Sequence, residues 1–369
     1  METSAQDQRI RIRLKAFREE RGFTQERLAR DLGFEHRQTL AAIESGERRI
    51  APGELVRAAD VLGVSLDALT DPYRLVGEGT FNFRAKGVDA DTLAAFEQRA
   101  GAWIATYREL SRALGERPGP LGARLQLTPR SSFEEAMAAG EELWERWGLG
   151  DVPAEALEAA IEREIGTLVL YVDAAPGISG AATHLPRYDA ILVNRADPAG
   201  RRYFDLAHEL FHILTWDAMP PARVEAWDLP RGKGARPEYL ADNFAGALLM
   251  PAAVLRPRWE ARGAEDVAAW VARTAPHLRV SADALRWRLA GLQWLSASEA
   301  RALRFPPVAT PPARTARLFS DRFVALVSRG VNEGVLSVRR AAALLGLRVG
   351  ALARLCLDYG HPLAYDLAE

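Results

Sequence analysis

The run Ala207-His208-Glu209-Leu210-Phe211-His212 sets two imidazoles four residues apart, with a carboxylate beside the first. On an α-helix residues i and i+4 share a face, so both rings can reach one Zn²⁺ while Glu209 faces a water there. A mononuclear catalytic zinc takes three protein ligands and keeps one position open, so a further group must return to this site from elsewhere in the chain. The only cysteine is Cys356, which excludes a disulfide framework and a thiolate zinc site and leaves the metal to histidines and carboxylates.

Working outward, Arg236-Pro237 precedes an apolar helix predicted over Glu238–Leu249 and stopped at Pro251. Glu238 opens that helix, where an antiparallel neighbour can present it to the metal, and Asp242 follows on the same face. Asp242 is placed to accept the second N–H of a ligating imidazole, and the two carboxylates could exchange roles. Glu225, Asp217 and Asp228 are rival ligands in the irregular segment between the helices. Zinc would lower the pKa of a water toward ~7, and Glu209 would take its proton. Upstream, the apolar runs Leu168–Val172, Ser179–Thr183 and Ala190–Val193 read as a small sheet. Its last strand, continued to Asn194, reads as an edge to which an extended peptide can add. His184, Arg187 and Tyr188 lie just before that strand and are either donors to an oxyanion or ordinary surface residues. Trp216–Gly234, rich in Pro and Gly, is a candidate lid.

Phe204-Asp205-Leu206-Ala207-His208-Glu209-Leu210-Phe211-His212, with Glu238-Tyr239-Leu240-Ala241-Asp242-Asn243-Phe244-Ala245 and Leu248-Leu249-Met250-Pro251, resembles the ImmA/IrrE family of bacterial metallopeptidases. The resemblance runs from about Glu134 to Leu295. It implies a zincin-like fold, His208, His212 and Glu238 as zinc ligands, Glu209 as catalytic base, and cleavage of a helix-turn-helix repressor under stress or in mobile elements. Phe211 departs from the glycine common there, which is expected to narrow the cleft.

Near the N-terminus, Thr24-Gln25-Glu26-Arg27-Leu28-Ala29, Gly33, His36 to Glu44 and Ser45-Gly46-Glu47-Arg48-Arg49 are similar to the XRE (phage repressor-like) helix-turn-helix family across residues 9–70. Four or five short helices are expected between Ile10 and Leu69. In that arrangement the third helix enters the major groove, so Arg37, Gln38 and Thr39 are expected to face bases. Arg48 and Arg49, with Arg9, Arg11, Arg13 and Lys15, are read as phosphate contacts or solvated charge. The formal net charge of -1 hides an excess of four positive charges over residues 9–57. That excess is modest, so two heads on two half-sites, a homodimer, are expected to address a DNA operator.

No apolar run suits a membrane and the polar, basic start lacks a secretory core, so a cytoplasmic protein is expected. The expected fold class is α+β and predominantly helical. It comprises a helix-turn-helix domain at 1–72, a helical linker region at 73–130, a zincin-like domain with a small sheet at 131–300 and a helical region at 301–369. In that last region the segment from Leu336 to Leu347 has helix-turn-helix-like spacing and is read as a helical extension or dimer surface. The expected function is that of a DNA-binding regulator carrying a zinc endopeptidase that cuts a repressor-like protein in trans, or itself. The alternative is a non-proteolytic transcription factor or antitoxin-like module whose zincin-like domain senses a ligand or metal.

Overall fold

The computed structural model describes residues 5–116, 124–185, 188–225, 236–305 and 315–364. Five helices come first: α1 (Ala5–Glu20), α2 (Gln25–Asp31), α3 (Arg37–Ser45), α4 (Pro52–Leu62) and α5 (Leu66–Thr70). Strand β1 (Thr80–Ala85) and the long α6 (Ala90–Ala113) precede α7 (Phe133–Trp147) and α8 (Pro153–Glu164). Then come β2 (Leu168–Val172), β3 (Ile178–Leu185), β4 (Tyr188–Asn194), α9 (Ala199–Thr215), β5 (Val224–Glu225) and α10 (Arg236–Leu249). The helices α11 (Ala252–Glu260), α12 (Val267–His277), α13 (Ala282–Gly291), α14 (Ala297–Ala302), α15 (Asp321–Asn332), α16 (Val338–Leu345) and α17 (Val349–Asp358) complete the chain. The fold is α+β and predominantly helical, as the sequence implies.

Two compact units form: residues 1–80, 94–117 and 324–369 in one, and residues 81–93 and 118–323 in the other. The region 73–130, read as a linker, is thus shared between them. In the first unit Leu14, Leu28, Leu32, Leu40, Ile43 and Leu62 make the core of the N-terminal bundle. The Thr24 hydroxyl caps α2 by accepting from the Arg27 amide at 3.1 Å. Gly33 makes the turn into α3 at a φ of 78°, a conformation that costs glycine little. Glu44 of α3 accepts from Arg18 Nε at 2.6 Å and from Gln25 Nε2 at 2.8 Å, tying the first three helices together.

In the second unit the sheet has the order β2-β4-β3-β1-β5. Strand β4 runs parallel to β2 and antiparallel to β3. β4 is therefore an interior strand, which overturns its reading as the peptide-accepting edge. Its run Ala-Ile-Leu-Val is wholly buried, as an interior strand requires. The stretch toward Asn82, read as linker, instead ends in β1, whose Phe81, Phe83 and Ala85 are buried. Helix α9 packs beneath β3 and β4, and α10 lies between α9 and α7. α7 is capped by Ser132 and Glu135 acting reciprocally. It carries Gly140 at the crossing, where an added Cβ would stand 2.6 Å from the Phe244 carbonyl oxygen. The missing side chain lets the two backbones approach.

Candidate metal centre

Helix α9 is polar on the face it turns to the site and apolar elsewhere, yet nearly all of its last three turns is buried. His208, Glu209 and His212 are each at most 1% exposed. Burying three such groups without compensation is costly, so their partners define the site. Helix α10 supplies those of the two imidazoles: its first turn brings Glu238 to both rings and its second brings Asp242 to the back of His208. The Arg236 guanidinium pins that helix start by donating to the carbonyls of Pro129 at 2.8 Å and Ser131 at 2.6 Å.

Ligand atoms of His208, His212 and Glu238 lie within 4.8 Å of one another. The two Nε2 atoms are 3.0 Å apart, His208 Nε2 is 3.2 Å from Glu238 Oε2, and His212 Nε2 is 3.4 Å from Glu238 Oε1. A tetrahedral zinc with ligands at about 2.0–2.1 Å has ligand–ligand edges of about 3.3 Å, so these atoms already form one face of such a tetrahedron. His208 Nδ1 donates to Asp242 Oδ1 at 2.9 Å. Because a carboxylate can only accept, that bond keeps the proton on Nδ1 and directs Nε2 toward the centre.

Electrostatics favour a cation here. Burial and Arg84 both oppose charge on His208, but the bonds to Asp242 and Glu238 outweigh them and raise its pKa to about 10. Burial alone would push Glu238 up, yet the bonds from His208 and His212 hold it well below the usual carboxylate range. Glu209 behaves oppositely: burial raises it to about 7 against the pull of His208 and Arg84, and among the described residues neither of its oxygens has a hydrogen-bond partner. A fully buried carboxylate with no donor, beside three converging ligand atoms, is what a metal and its water would satisfy. The residues fit the group.

Around this centre the structure adds residues that the motifs do not contain. Arg84 of β1, only 14% exposed, places NH1 3.3 Å from Asp205 Oδ1 and NH2 3.8 Å from Asp242 Oδ1. Its signal in the sequence was a lone arginine in the alternating run Phe81-Asn82-Phe83-Arg84-Ala85. Gly180 of β3 passes over Glu209, where an added Cβ would lie 3.6 Å from Oε1. Phe211 is fully buried against Phe244, ring centroids 5.5 Å apart, so it fills the core between α9 and α10 and does not narrow a cleft.

Other sequence candidates fall outside the ligand cluster. Asp217, 72% exposed, pairs with Arg124 at 3.5 Å. His184 lies one residue before the end of β3, with Nδ1 2.5 Å from Asp189 Oδ1 and its ring on Trp216. Tyr188 begins β4. Arg187, Asp228 and the lid segment over 226–234 lie outside the described residues, as does the side chain of Glu225. In the N-terminal bundle Arg37 and Gln38 are exposed at the start of α3, with Thr39 half-buried behind them. Arg48 pairs with both oxygens of Glu54, at 3.0 and 2.7 Å, and Arg49 with Asp7 at 3.0 Å. Arg13 is a correction: it is buried and donates to the carbonyls of Asp71 and Arg74 at 2.8 and 2.5 Å, a structural post and not a phosphate contact. Arg9 pairs with Glu109, and Arg11 donates to the Ser45 carbonyl.

No helix among the described residues is long and apolar enough to cross a membrane. Residues 14–69 match the helix-turn-helix family model, and residues 163–290 match the peptidase M78 model, described as the IrrE N-terminal-like domain. No curated protein matches the chain. Among solved structures, the apo form of the competence regulator ComR from Streptococcus vestibularis aligns over 98% of this chain and 100% of its own, at 11% identity and a TM-score of 0.17. A likeness that slight carries no argument. The chain therefore joins a helix-turn-helix domain of the XRE type to a domain of the IrrE N-terminal-like peptidase family.

Proposed function

We propose that this chain is a transcriptional regulator of the cytoplasm that binds an operator through its helix-turn-helix domain and hydrolyses a repressor-like protein, or itself, through a zinc centre. The observation that carries the reading is the convergence of His208, His212 and Glu238 beside an unpartnered, buried Glu209. Held by His208, His212 and Glu238, a zinc ion would supply Lewis acidity toward a peptide carbonyl and would lower the pKa of a water there. Glu209 accepts the water's proton and passes it to the leaving amide nitrogen. A proton affinity near neutrality, set by burial, suits both halves of that transfer. Asp242 keeps His208 in the ligating tautomer, and Arg84 holds Asp242 and Asp205 in place.

At the other end, Arg37 and Gln38 are exposed side chains able to bond bidentately to guanine and adenine edges, with Thr39 beside them and Arg48 and Arg49 toward the backbone. Two chains on two half-sites supply the affinity that a single modestly basic head lacks. The response served is stress or mobile-element control.

The decisive experiment incubates the zinc-loaded full chain with helix-turn-helix repressors encoded near it. The native chain is expected to cut one of them, and Glu209→Gln to retain zinc and cut none. Equal cutting by both would overturn the role of Glu209, and zinc binding without any cutting would convert the domain to a metal sensor. In the head, Arg37→Ala is expected to weaken a specific operator by about 1–3 kcal/mol. An equal loss on random DNA would contradict base reading.

A further inference from the structure

Strand β3 is the one whose backbone passes over Glu209 at Gly180, and it runs antiparallel to β4. A peptide held for attack by that glutamate and its metal would lie along the outer side of β3, since extended peptides are commonly gripped through backbone pairing to a strand edge. In this chain that side is taken. The sheet order puts β1 there, with β5 beyond it.

The occupant is held by both backbone and side chain. The Lys86 amide donates to the Gly177 carbonyl at 2.9 Å, and the Arg84 carbonyl accepts from the Ser179 hydroxyl at 3.3 Å. Gly177 sits so close that a Cβ would stand 2.5 Å from the Lys86 carbonyl oxygen. Alternation along the strand puts Phe81, Phe83 and Ala85 on one face and Asn82 and Arg84 on the other. The two phenylalanine rings stack at 5.7 Å. Arg84 reaches Asp205 and Asp242, the latter being the residue that holds the ligand His208. Beyond β1, among the described residues, lies β5, paired through Phe83↔Val224 and Arg84↔Glu225, and the Phe83 amide donates to the Arg223 carbonyl at 2.9 Å.

We propose that the segment Thr80–Lys86 occupies the peptide-binding edge of the metal site, and that this edge takes an extended peptide whose arginine fills the acidic pocket of Asp205 and Asp242. The inference rests on the reading of the centre as a peptidase site and adds its regulation and its preferred peptide. An exogenous peptide binds only when β1 leaves, and release of β1 is the activating step. Asp205 and Asp242 then discriminate for a basic side chain at that position, because a neutral one removes the cation they share and leaves Asp205 to Arg201 and Asp242 to His208 alone.

The test uses the zinc-loaded full chain carrying Glu209→Gln, so that binding is read without hydrolysis. The probe is a fluorescein-labelled peptide of residues 78–88, Glu-Gly-Thr-Phe-Asn-Phe-Arg-Ala-Lys-Gly-Val, followed by anisotropy. Lys86→Pro removes the backbone donor to Gly177, the residue that leads into β3, and Arg84→Ala removes the ion pairs. Each variant, shown to be folded by circular dichroism, is expected to bind the peptide at least tenfold more tightly than the unmodified strand allows. A peptide with alanine in place of its arginine is expected to bind at least tenfold more weakly to either variant. Should Lys86→Pro not fold, Arg84→Ala gives the same readout. Equal peptide affinity with and without the β1 changes, or indifference to the arginine, would overturn the proposal. With Glu209 restored, a variant that binds the peptide but never cuts it would count against the peptidase reading and leave the occupancy standing.

Discussion

Replacing Asp242 tests how much of the metal affinity is built by a residue that does not touch the metal. Its Oδ1 accepts from His208 Nδ1 at 2.9 Å and so fixes which nitrogen faces Glu238 and His212. Loss of such a partner typically costs ten- to a hundredfold in metal affinity, about 1.4–2.7 kcal/mol. The Asp242 side chain is 45% exposed, so water can replace its oxygen when it is removed. The expected loss for Asp242→Ala is therefore at the lower end, about tenfold or ~1.4 kcal/mol. Asp242→Asn keeps an oxygen at the same place, and a neutral acceptor is roughly half as strong as a charged one, which predicts a loss of about threefold. The assay is competition for Zn²⁺ against a chelator of known affinity, with the full chain at fixed pH. An alanine variant that holds zinc as tightly as the native chain would show that Asp242 does not set the ligating nitrogen of His208, as would an asparagine variant weaker than the alanine one.

Away from the centre, Glu158 and Glu162 of α8 are both raised to about 7. Burial is the main cause for each; the charge of Glu158 adds to the rise of Glu162, and that of Asp321 to the rise of Glu158. A carboxylate with a raised folded-state pKa contributes stability that is complete below its unfolded value of about 4.3 and is lost as pH rises through about 7. Glu162→Gln should consequently gain on the native chain between pH 5 and pH 8 in urea denaturation, and an unchanged difference at the two pH values would contradict this. Gly140→Ala should destabilise the second unit by about 1–3 kcal/mol, because its methyl group meets the α10 backbone and not a movable side-chain end. The thermal midpoint should fall by about 2–4 °C per kcal/mol, and a midpoint equal to the native one would show that α7 and α10 have room to separate.

The parts of this site that were legible in the sequence are those fixed by local geometry. The His208–His212 spacing and the helical turn from Glu238 to Asp242 each depend on residues four apart, so periodicity alone placed them on common faces. What escaped was decided by distant pairing. The order of a sheet is not written in any one strand, and so β4 passed for an edge while β1, with its aromatic alternation, passed for linker. Arg84 meets Asp205 and Asp242 only because β1 is drawn beside β3, more than ninety residues away along the chain. Arg13 misled for a related reason: an arginine in a basic helix ordinarily faces water, whereas here carbonyls at the far end of the bundle consume its donors. Phe211 erred in the opposite sense, since its position in the motif suggested the cleft and its partner Phe244 draws it into the core.

In the proposed centre two imidazoles and one carboxylate hold a zinc ion beside Glu209. X-ray absorption at the zinc edge on the full chain, native and Glu209→Gln, tests it most directly. The predicted spectrum has two imidazole nitrogens at about 2.0–2.1 Å, oxygen at about 2.0–2.2 Å, no sulfur, and one zinc per chain in both proteins. Sulfur in the coordination shell, a third imidazole, or loss of the metal on changing Glu209 would contradict it.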